Sequence, residues 1–299
     1  ASAIPFNVEN YSKNLFKKPN LKFYDTMVSS KYPLSLKDVN NPAKHTIVIA
    51  CTGAGKTNYL LRRCRGRVYY ILPYTASINS MYNRIKNDIA EDNTDLDIRV
   101  QHSTSNIVVK NENYFVKNIQ SHVGSHIKIL TPHQILGIVF GVNGYEAIIM
   151  DLKGCDIILD EIHTYSEELQ GVVLKMVEIL NYIGCRIHIG TATIPTILYN
   201  KIINILGVDN VYKVSLTDKE LETYNRHIIH KHNDWDSKIF NVIFESLKRN
   251  EKVLLIRNTI REAQELYRMI DENIEQFYNC EILLLHSRFK RGRRNELEK

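Results

Sequence analysis

Long apolar runs are absent from this sequence, and so are paired cysteines. No segment reaches the roughly 20 consecutive apolar residues that a membrane-spanning helix needs, and the N-terminus lacks the pattern of a secretory signal peptide. The five cysteines are scattered, form no Cys-x-x-Cys pair, and are odd in number. These absences argue against a disulfide frame or a zinc site. They predict a cytoplasmic protein with reduced thiols and no membrane partner.

Glutamine is missing from residues 1–43, a polar segment rich in asparagine and lysine. Scattered apolar residues in this segment predict a short helix or two, packed as an N-terminal extension on the first domain. Over the whole chain the net charge is +6, which is a mild indication of a polyanionic partner. Charge alone decides little, because many enzymes carry as much.

Strand and helix patterns alternate from residue 44 onward. Apolar, often β-branched runs predict strands at residues 46–49, 68–72, 98–101, 127–130, 155–159 and 186–189, and helical patterns cover 75–90 and 166–182. Such alternation predicts right-handed βαβ units and an α/β fold with a parallel sheet, here a first domain over 44–206. Ligands of such sheets bind at the carboxyl ends of the strands.

A second block of the same kind begins near residue 236. Helical patterns at 236–249 and 260–274 and strand patterns at 252–256 and 281–285 predict the opening part of a second domain over 236–299. Residues 207–235 are interpreted as a linker and edge segment. Its histidines 227, 230 and 232 could suggest a metal site, but strand alternation puts only two of them on one face. A solvated edge strand is therefore favoured.

The strongest motif follows the first strand directly. Its phosphate-binding set is Ala50, Cys51, Thr52, Gly53, Ala54, Gly55, Lys56 and Thr57. Gly53 and Gly55 let the backbone N–H groups turn around an anion, and the helix that follows adds its unpaired N-terminal donors. Lys56 can reach the terminal phosphates of ATP, and the Thr57 hydroxyl can join the coordination shell of Mg²⁺. A glycine-rich turn that precedes Lys-Thr by chance is disfavoured by the flanking strand and helix.

Two adjacent acids end a buried strand about a hundred residues later. Asp160 and Glu161 follow the apolar run 157–159, and His163 comes two residues after them. Acids in this position are costly unless a cation neutralises them. Asp160 is therefore a candidate Mg²⁺ ligand, and Glu161 a candidate base that orients and deprotonates water, with Lys56 as their catalytic partner. The alternative is an exposed acidic turn.

These motifs carry a resemblance to a known family. Residues 50–57, 160–163 and 191–193 resemble motifs I, II and III of the superfamily 2 DExH helicases. More narrowly, 160–165, 191–195 and the His-Ser-Arg-Phe element within 285–289 are similar to the CRISPR-associated helicases of type I interference systems, and 257–259 resembles their motif IV. The resemblance implies a RecA-like fold. It also implies that His163, Thr191, Ala192 and Thr193 couple the nucleotide state to the nucleic-acid track.

The resemblance also implies a substrate and partners, and it has departures. It implies ATP with Mg²⁺, single-stranded DNA and a CRISPR effector complex. The missing glutamine in 1–43 leaves adenine selectivity unsupported, and the HD nuclease domain often fused to this family does not fit in that segment. Motifs V and VI, the latter bearing the arginines that stabilise the transferring phosphate, are expected after residue 299, in the remainder of the second domain.

Candidate nucleic-acid contacts are weaker. Pro73, Thr75 and Thr131 follow strands at positions where the resembled family grips the nucleic-acid backbone, and Arg288 opens a basic cluster. A plain turn, an N-cap or a solvated helix start would give the same pattern. The chain is therefore expected to be part of an ATP-dependent translocase on single-stranded DNA. A DExH RNA helicase of another family and a non-motor NTP-binding module are the alternatives.

Overall fold

A computed structural model describes residues 17–29, 31–101, 124–223, 228–231, 237–277 and 280–289. The chain divides into two compact units, Ala1–Asn225 and Arg226–Lys299. Within the described residues, no helix combines the length and the apolar character that crossing a membrane requires.

The first unit is built on one parallel sheet. Its strands are β1 (His45–Ile49), β2 (Val68–Ile71), β3 (Ile98–Gln101), β4 (Ile127–Leu130), β5 (Asp156–Asp160), β6 (Arg186–Thr191) and β7 (Val211–Ser215). They lie in the order β3-β4-β2-β5-β6-β1-β7, and each strand runs parallel to its neighbours. The predicted α/β fold with a RecA-like parallel sheet is thus confirmed.

Helices cover both faces of this sheet. They are α1 (Lys56–Arg63), α2 (Thr75–Ile89), α3 (Tyr145–Leu152), α4 (Glu167–Tyr182) and α5 (Thr196–Leu206). Alternate strand residues face opposite sides, so Val48 and Ile158 pack with α1 and α2, whereas Ile157 packs with α4 and α5. Both faces are buried, which explains why the strands read as nearly continuous apolar runs.

The segment before β1 packs on the face that α1 and α2 cover. Short helical turns at Phe23–Thr26 and Pro33–Leu36 place the fully buried Tyr24 and Leu34 in that apolar cluster. The Leu34 N–H donates to the carbonyl of Ala54 at 3.2 Å. The described part of the N-terminal extension therefore supports the loop that follows β1.

The segment 207–235 differs from the expected linker. Strand β7 within it pairs with β1 over its whole length and forms the edge of the first sheet. Its alternating Val-Tyr-Lys-Val-Ser pattern is the signal that sequence reasoning missed. The histidine-rich stretch is not the expected edge strand: its described residues 228–231 are exposed and have no strand structure, while His227 and His232 lie outside the described residues.

The second unit contains α6 (Ser237–Lys248) and α7 (Ile260–Glu272), which pack through a small apolar cluster around Ile243, Leu266 and Phe277. In the described part of this unit, neither 252–256 nor 281–285 is a strand, contrary to expectation. Leu254 and Ile256 are 82% and 77% exposed. Two strands by themselves are marginal in stability, so a ladder at these positions would need further neighbouring strands.

A buried ionic network stabilises the first unit at the end of α3. The Asp151 carboxylate is fully buried and accepts hydrogen bonds from the Arg67 guanidinium (2.6 Å), the Tyr69 hydroxyl, the Lys128 ammonium and the Gly124 N–H (3.0 Å). Burial opposes the charge, but the Lys128 ammonium and these hydrogen bonds lower the pKa of Asp151 below its usual value.

We predict that Asp151→Asn lowers the free energy of unfolding by about 3–5 kcal/mol at neutral pH, because it leaves buried cations without their carboxylate. Asp151 has a lower pKa in the folded chain than in the unfolded one. Its contribution is therefore complete above the unfolded pKa of about 3.9 and is lost as pH falls through the folded pKa. Urea titrations at several pH values should show the gap to the wild type narrowing in acid. Exposed Asp209→Asn is the control, and an equal effect of both substitutions would contradict the prediction.

Candidate nucleotide-binding site

The loop between β1 and α1 has the backbone of a phosphate-binding loop. Gly53 and Gly55 have φ angles of 86° and 93°, in the left-handed region that favours glycine. A Cβ on Gly55 would also lie 3.1 Å from the Cβ of Tyr32, so space as well as conformation selects glycine there. Helix α1 begins at Lys56, immediately after this turn. The loop and the helix N-terminus together form a concavity of the kind that binds anions.

Lys56 is buried inside the loop that it follows. Its ammonium donates to the carbonyls of Ala50 (3.0 Å) and Cys51 (3.3 Å) and lies 3.7 Å from the Glu161 carboxylate. These contacts hold a positive charge beside the concavity. The charge is therefore positioned to meet the terminal phosphates of a nucleotide bound in the loop.

Asp160 ends β5 as a buried carboxylate. It accepts hydrogen bonds from the Tyr70 hydroxyl (2.6 Å) and from the Glu161 N–H (3.0 Å), and the Tyr70 oxygen lies 3.5 Å from the Thr57 hydroxyl. Burial, aided by the Glu161 charge, raises the pKa of Asp160, while Tyr70 and Lys56 oppose that rise. A buried carboxylate near a threonine hydroxyl is a donor set that suits Mg²⁺, and the cation would offset the cost of the buried charge.

Gly190 is a site residue that sequence reasoning missed. It pairs with Asp160 across β5 and β6. A Cβ at Gly190 would lie 2.9 Å from the Asp160 carboxylate and 2.7 Å from a methyl group of Leu60. Glycine inside a strand is the available signal, since it marks a close approach of a neighbouring group.

Glu161 is held in an uncommon conformation. Its φ of 55° is left-handed, which costs free energy for a residue with a side chain and is found most often at functional sites. The Glu161 N–H donates to the Gly190 carbonyl at 2.8 Å. The carboxylate is 32% exposed and lies 3.4 Å from the His163 ring nitrogen Nδ1. The turn therefore presents an accessible carboxylate next to the phosphate-binding loop.

The predicted coupling residues are connected to both motifs. The Thr191 hydroxyl contacts Nδ1 of His163 at 2.8 Å and donates to the Thr193 carbonyl at 2.6 Å. The Thr191 carbonyl accepts from the Ala50 N–H at 3.1 Å, where the phosphate-binding loop begins. Ala192 lies between the two threonines. A displacement of the loop would thus reach residues 191–193 directly.

The candidate nucleic-acid residues of the first unit follow neighbouring strands. Pro73 and Thr75 come after β2, and Thr131 comes after the adjacent β4. Thr131 is buried and is the N-cap residue of the turn Pro132–Gln134, yet within the described chain its side chain makes no capping hydrogen bond. Tyr74, which lies between Pro73 and Thr75, is 56% exposed. Arg288 is exposed in the second unit.

Residues of the candidate site open onto one cleft of about 510 Å³, a size that suits a small-molecule ligand. The cleft lining includes Lys56, Thr57, Asp160 and Glu161 from the motifs already described. It also includes Met27, Tyr32, Asn58 and Arg84, which no motif indicated.

Family models match two parts of the chain. The DEAD/DEAH box helicase model matches residues 34–200, and a model described as CRISPR-associated nuclease/helicase Cas3, C-terminal, matches residues 249–299. The CRISPR-associated nuclease/helicase Cas3 of Methanothermobacter thermautotrophicus is 24% identical over 94% of this chain and 35% of its own length. The putative Cas3 of Methanocaldococcus jannaschii is 24% identical over 84% of this chain and 36% of its own length. The chain therefore spans about a third of these relatives.

Solved structures share the fold. The crystal structure of T. fusca Cas3-ATP superposes with a TM-score of 0.68 at 14% identity, over 94% of this chain and 38% of that one. The DUF1998 helicase MrfA superposes with a TM-score of 0.57 at 14% identity, over 88% of this chain and 42% of that one. At this identity the likeness concerns the fold alone.

Proposed function

This chain belongs to the DEAD/DEAH box helicase family, and we propose that it is the ATP-binding part of a helicase that moves along single-stranded DNA in CRISPR interference. One observation carries the ATPase assignment: Lys56, Asp160 and Glu161 converge on one cleft from the ends of two strands. The similarity to the Cas3 proteins, together with the matching motifs, supports the CRISPR context and an effector complex as partner. Free cysteines are compatible with action in the reducing cytoplasm.

The chain's residues divide the work of phosphoryl transfer. The amides of 53–57 and the Lys56 ammonium bind the phosphates, and Thr57 and Asp160 would hold Mg²⁺. The metal ion, when bound, neutralises charge on the phosphate oxygens. Glu161 accepts a proton from the attacking water, a role that fits its exposed carboxylate.

Coupling to movement would pass through Thr191. Its carbonyl accepts a hydrogen bond from the Ala50 N–H, and its hydroxyl contacts the ring of His163. Lys56 and Glu161, which are 3.7 Å apart, would lose their contacts with the terminal phosphate when it leaves. The resulting displacement of the loop would be transmitted through Thr191 to 191–193. A non-motor NTP-binding module would not need such a connection.

Single-stranded DNA should bind weakly, without sequence preference, and with strong dependence on salt if the segments after β2 and β4 grip its backbone. We predict that the double variant Thr75→Ala, Thr131→Ala weakens this binding by about 3- to 10-fold, as expected for lost phosphate contacts of modest strength. Fluorescence anisotropy over a salt series is the measurement. Thr94→Ala is the control, because Thr94 is exposed and precedes β3, at the amino ends of the strands rather than at their carboxyl ends. If the affinity does not change with salt, or is the same in the double variant as in the wild type, the two segments are ordinary turns and do not contact the DNA backbone.

The kind of nucleic acid is tested by strand displacement. A protein that carries the whole second helicase domain is given matched DNA and RNA duplexes with single-stranded tails. Unwinding of DNA but not RNA supports the proposal, and preference for RNA would favour an RNA helicase. ATP binding that neither nucleic acid stimulates into turnover would favour the non-motor module.

A further inference from the structure

We propose that Arg84 binds the nucleotide, at the α-phosphate and ribose end that lies away from the hydrolysed bond. The inference rests on the proposed function of the same cleft. It adds a nucleotide contact from α2, an element in which sequence reasoning identified no nucleotide-binding residue.

Arg84 is fixed in the cleft at one end of its guanidinium. Nη2 donates to the side-chain oxygen of Asn58 at 2.5 Å, and Nε lies 3.8 Å from the Asp88 carboxylate. The side chain is 46% exposed and lines the cleft together with Lys56, Thr57 and Glu161. A guanidinium that is oriented by one hydrogen bond and remains partly exposed can present its other donors to a phosphate or to a ribose hydroxyl.

The position of Asn58 indicates which end of the nucleotide Arg84 meets. In a phosphate-binding loop the backbone cradles the α- and β-phosphates, while the lysine reaches the β- and γ-phosphates. Lys56 lies 3.7 Å from Glu161, which places the acids at the terminal end. Asn58 follows Lys56 by two residues in the first turn of α1, so its partner Arg84 belongs to the α-phosphate end.

Charge in the cleft agrees with this division. At the terminal end, Asp160 and Glu161 face Lys56, so the nucleotide's charge there needs Mg²⁺ as well. At the other end Arg84 has Asp88 at 3.8 Å, a distance too long for a direct hydrogen bond. Arg84 is therefore the cation that the cleft offers to the α-phosphate.

The test is calorimetric titration of ATP and of ADP, each with Mg²⁺, into residues 1–299. Arg84→Ala should weaken both nucleotides by the same factor, about 10- to 100-fold, as expected for lost hydrogen bonds to a charged group. Arg84→Lys keeps the positive charge but lacks the planar set of N–H donors of arginine. Its affinity for both nucleotides should therefore lie between those of Arg84→Ala and the wild type. Arg99→Ala removes an arginine that lies on β3 and pairs with Asp97, and should leave both affinities unchanged.

Two readouts separate binding from a structural role. If Arg84 only braces α2 against Asn58, Arg84→Ala should lower the melting temperature without nucleotide, and Arg84→Lys should not recover affinity. The inference is also overturned if affinity is unchanged, or if only ATP is weakened, because the contact would then be absent or at the γ-phosphate. If Arg84→Ala does not fold, Arg84→Lys decides. Equal weakening of ATP and ADP with an unchanged nucleotide-free melting temperature supports the inference. Wild-type affinity, or weakening together with a lowered melting temperature, overturns it.

Failure of the inference and failure of the proposed function give different results. If Lys56→Ala binds ATP as tightly as the wild type, the cleft is not the ATP site and both fail. If Lys56→Ala loses binding while Arg84→Ala keeps it, only the role of Arg84 is removed.

Discussion

In a protein that carries the whole second helicase domain, Glu161→Gln should lower kcat for ATP hydrolysis by about 10²–10⁴-fold, the typical worth of a positioned general base. The substitution keeps the shape of the side chain and the hydrogen bond from the residue 161 N–H to Gly190, but removes the proton acceptor beside Lys56. ATP affinity should stay within about twofold, since the phosphates are held by the loop. Steady-state turnover and calorimetry on the same samples measure the two effects separately.

In residues 1–299 alone, the same substitution should change turnover little. The arginine that stabilises charge on the transferring phosphate is worth about 10³–10⁵ in rate. The resemblance places its motif after the His-Ser-Arg-Phe element at 286–289. Hydrolysis by this chain should therefore be slow whether or not Glu161 is present. Exposed Glu178→Gln is the control in both proteins. Brisk, DNA-stimulated hydrolysis by residues 1–299 that Glu161→Gln abolishes would contradict the expectation.

The main motifs were predictable because each is a local feature of the chain. A buried strand, two glycines and a Lys-Thr pair at a helix start specify a phosphate-binding loop by their order alone. Two acids at the end of another apolar strand need a cation for the same local reason. The parallel sheet then brings 53–57 and Asp160 together, because the carboxyl ends of its strands share one edge.

The supporting residues were not predictable because they act across strands. Gly190 is required only because β5 and β6 pair Asp160 with it, and Tyr70 matters only because β2 lies next to β5. The order of the strands in the sheet cannot be predicted from a local sequence pattern. Arg84 was missed for a similar reason, since it reaches the cleft from the middle of an ordinary amphipathic helix.

The segments that differ from expectation depend on long-range pairing. Strand β7 exists because β1 offers it an edge more than 160 residues away in sequence, as in the pairing of His45 with Val211. The opposite holds in the second unit, where 252–256 has a strand pattern but, within the described residues, no partner. Apolar periodicity predicts the tendency to form a strand, and the neighbouring strand decides whether it forms.

The second large effect concerns binding itself, and Lys56→Ala should weaken ATP by at least about 100-fold. The Lys56 ammonium is buried, is positioned by the carbonyls of Ala50 and Cys51, and faces the concavity formed by Gly53 and Gly55. Its loss removes a charge-assisted contact from a desolvated site, where such contacts are strongest. Lys175→Ala, which removes an exposed lysine on α4, should leave affinity unchanged.

The proposed function requires that one cleft in the first unit binds ATP with Mg²⁺ through the loop after β1. Isothermal titration calorimetry of residues 1–299 and of Lys56→Ala tests it most directly, with thermal melts to show that both are folded. We expect measurable, Mg²⁺-dependent binding of ATP and ADP by the wild type, and loss of that binding in Lys56→Ala. Equal binding by the two folded proteins would rule out this cleft as the ATP site, and so would the absence of binding by the wild type.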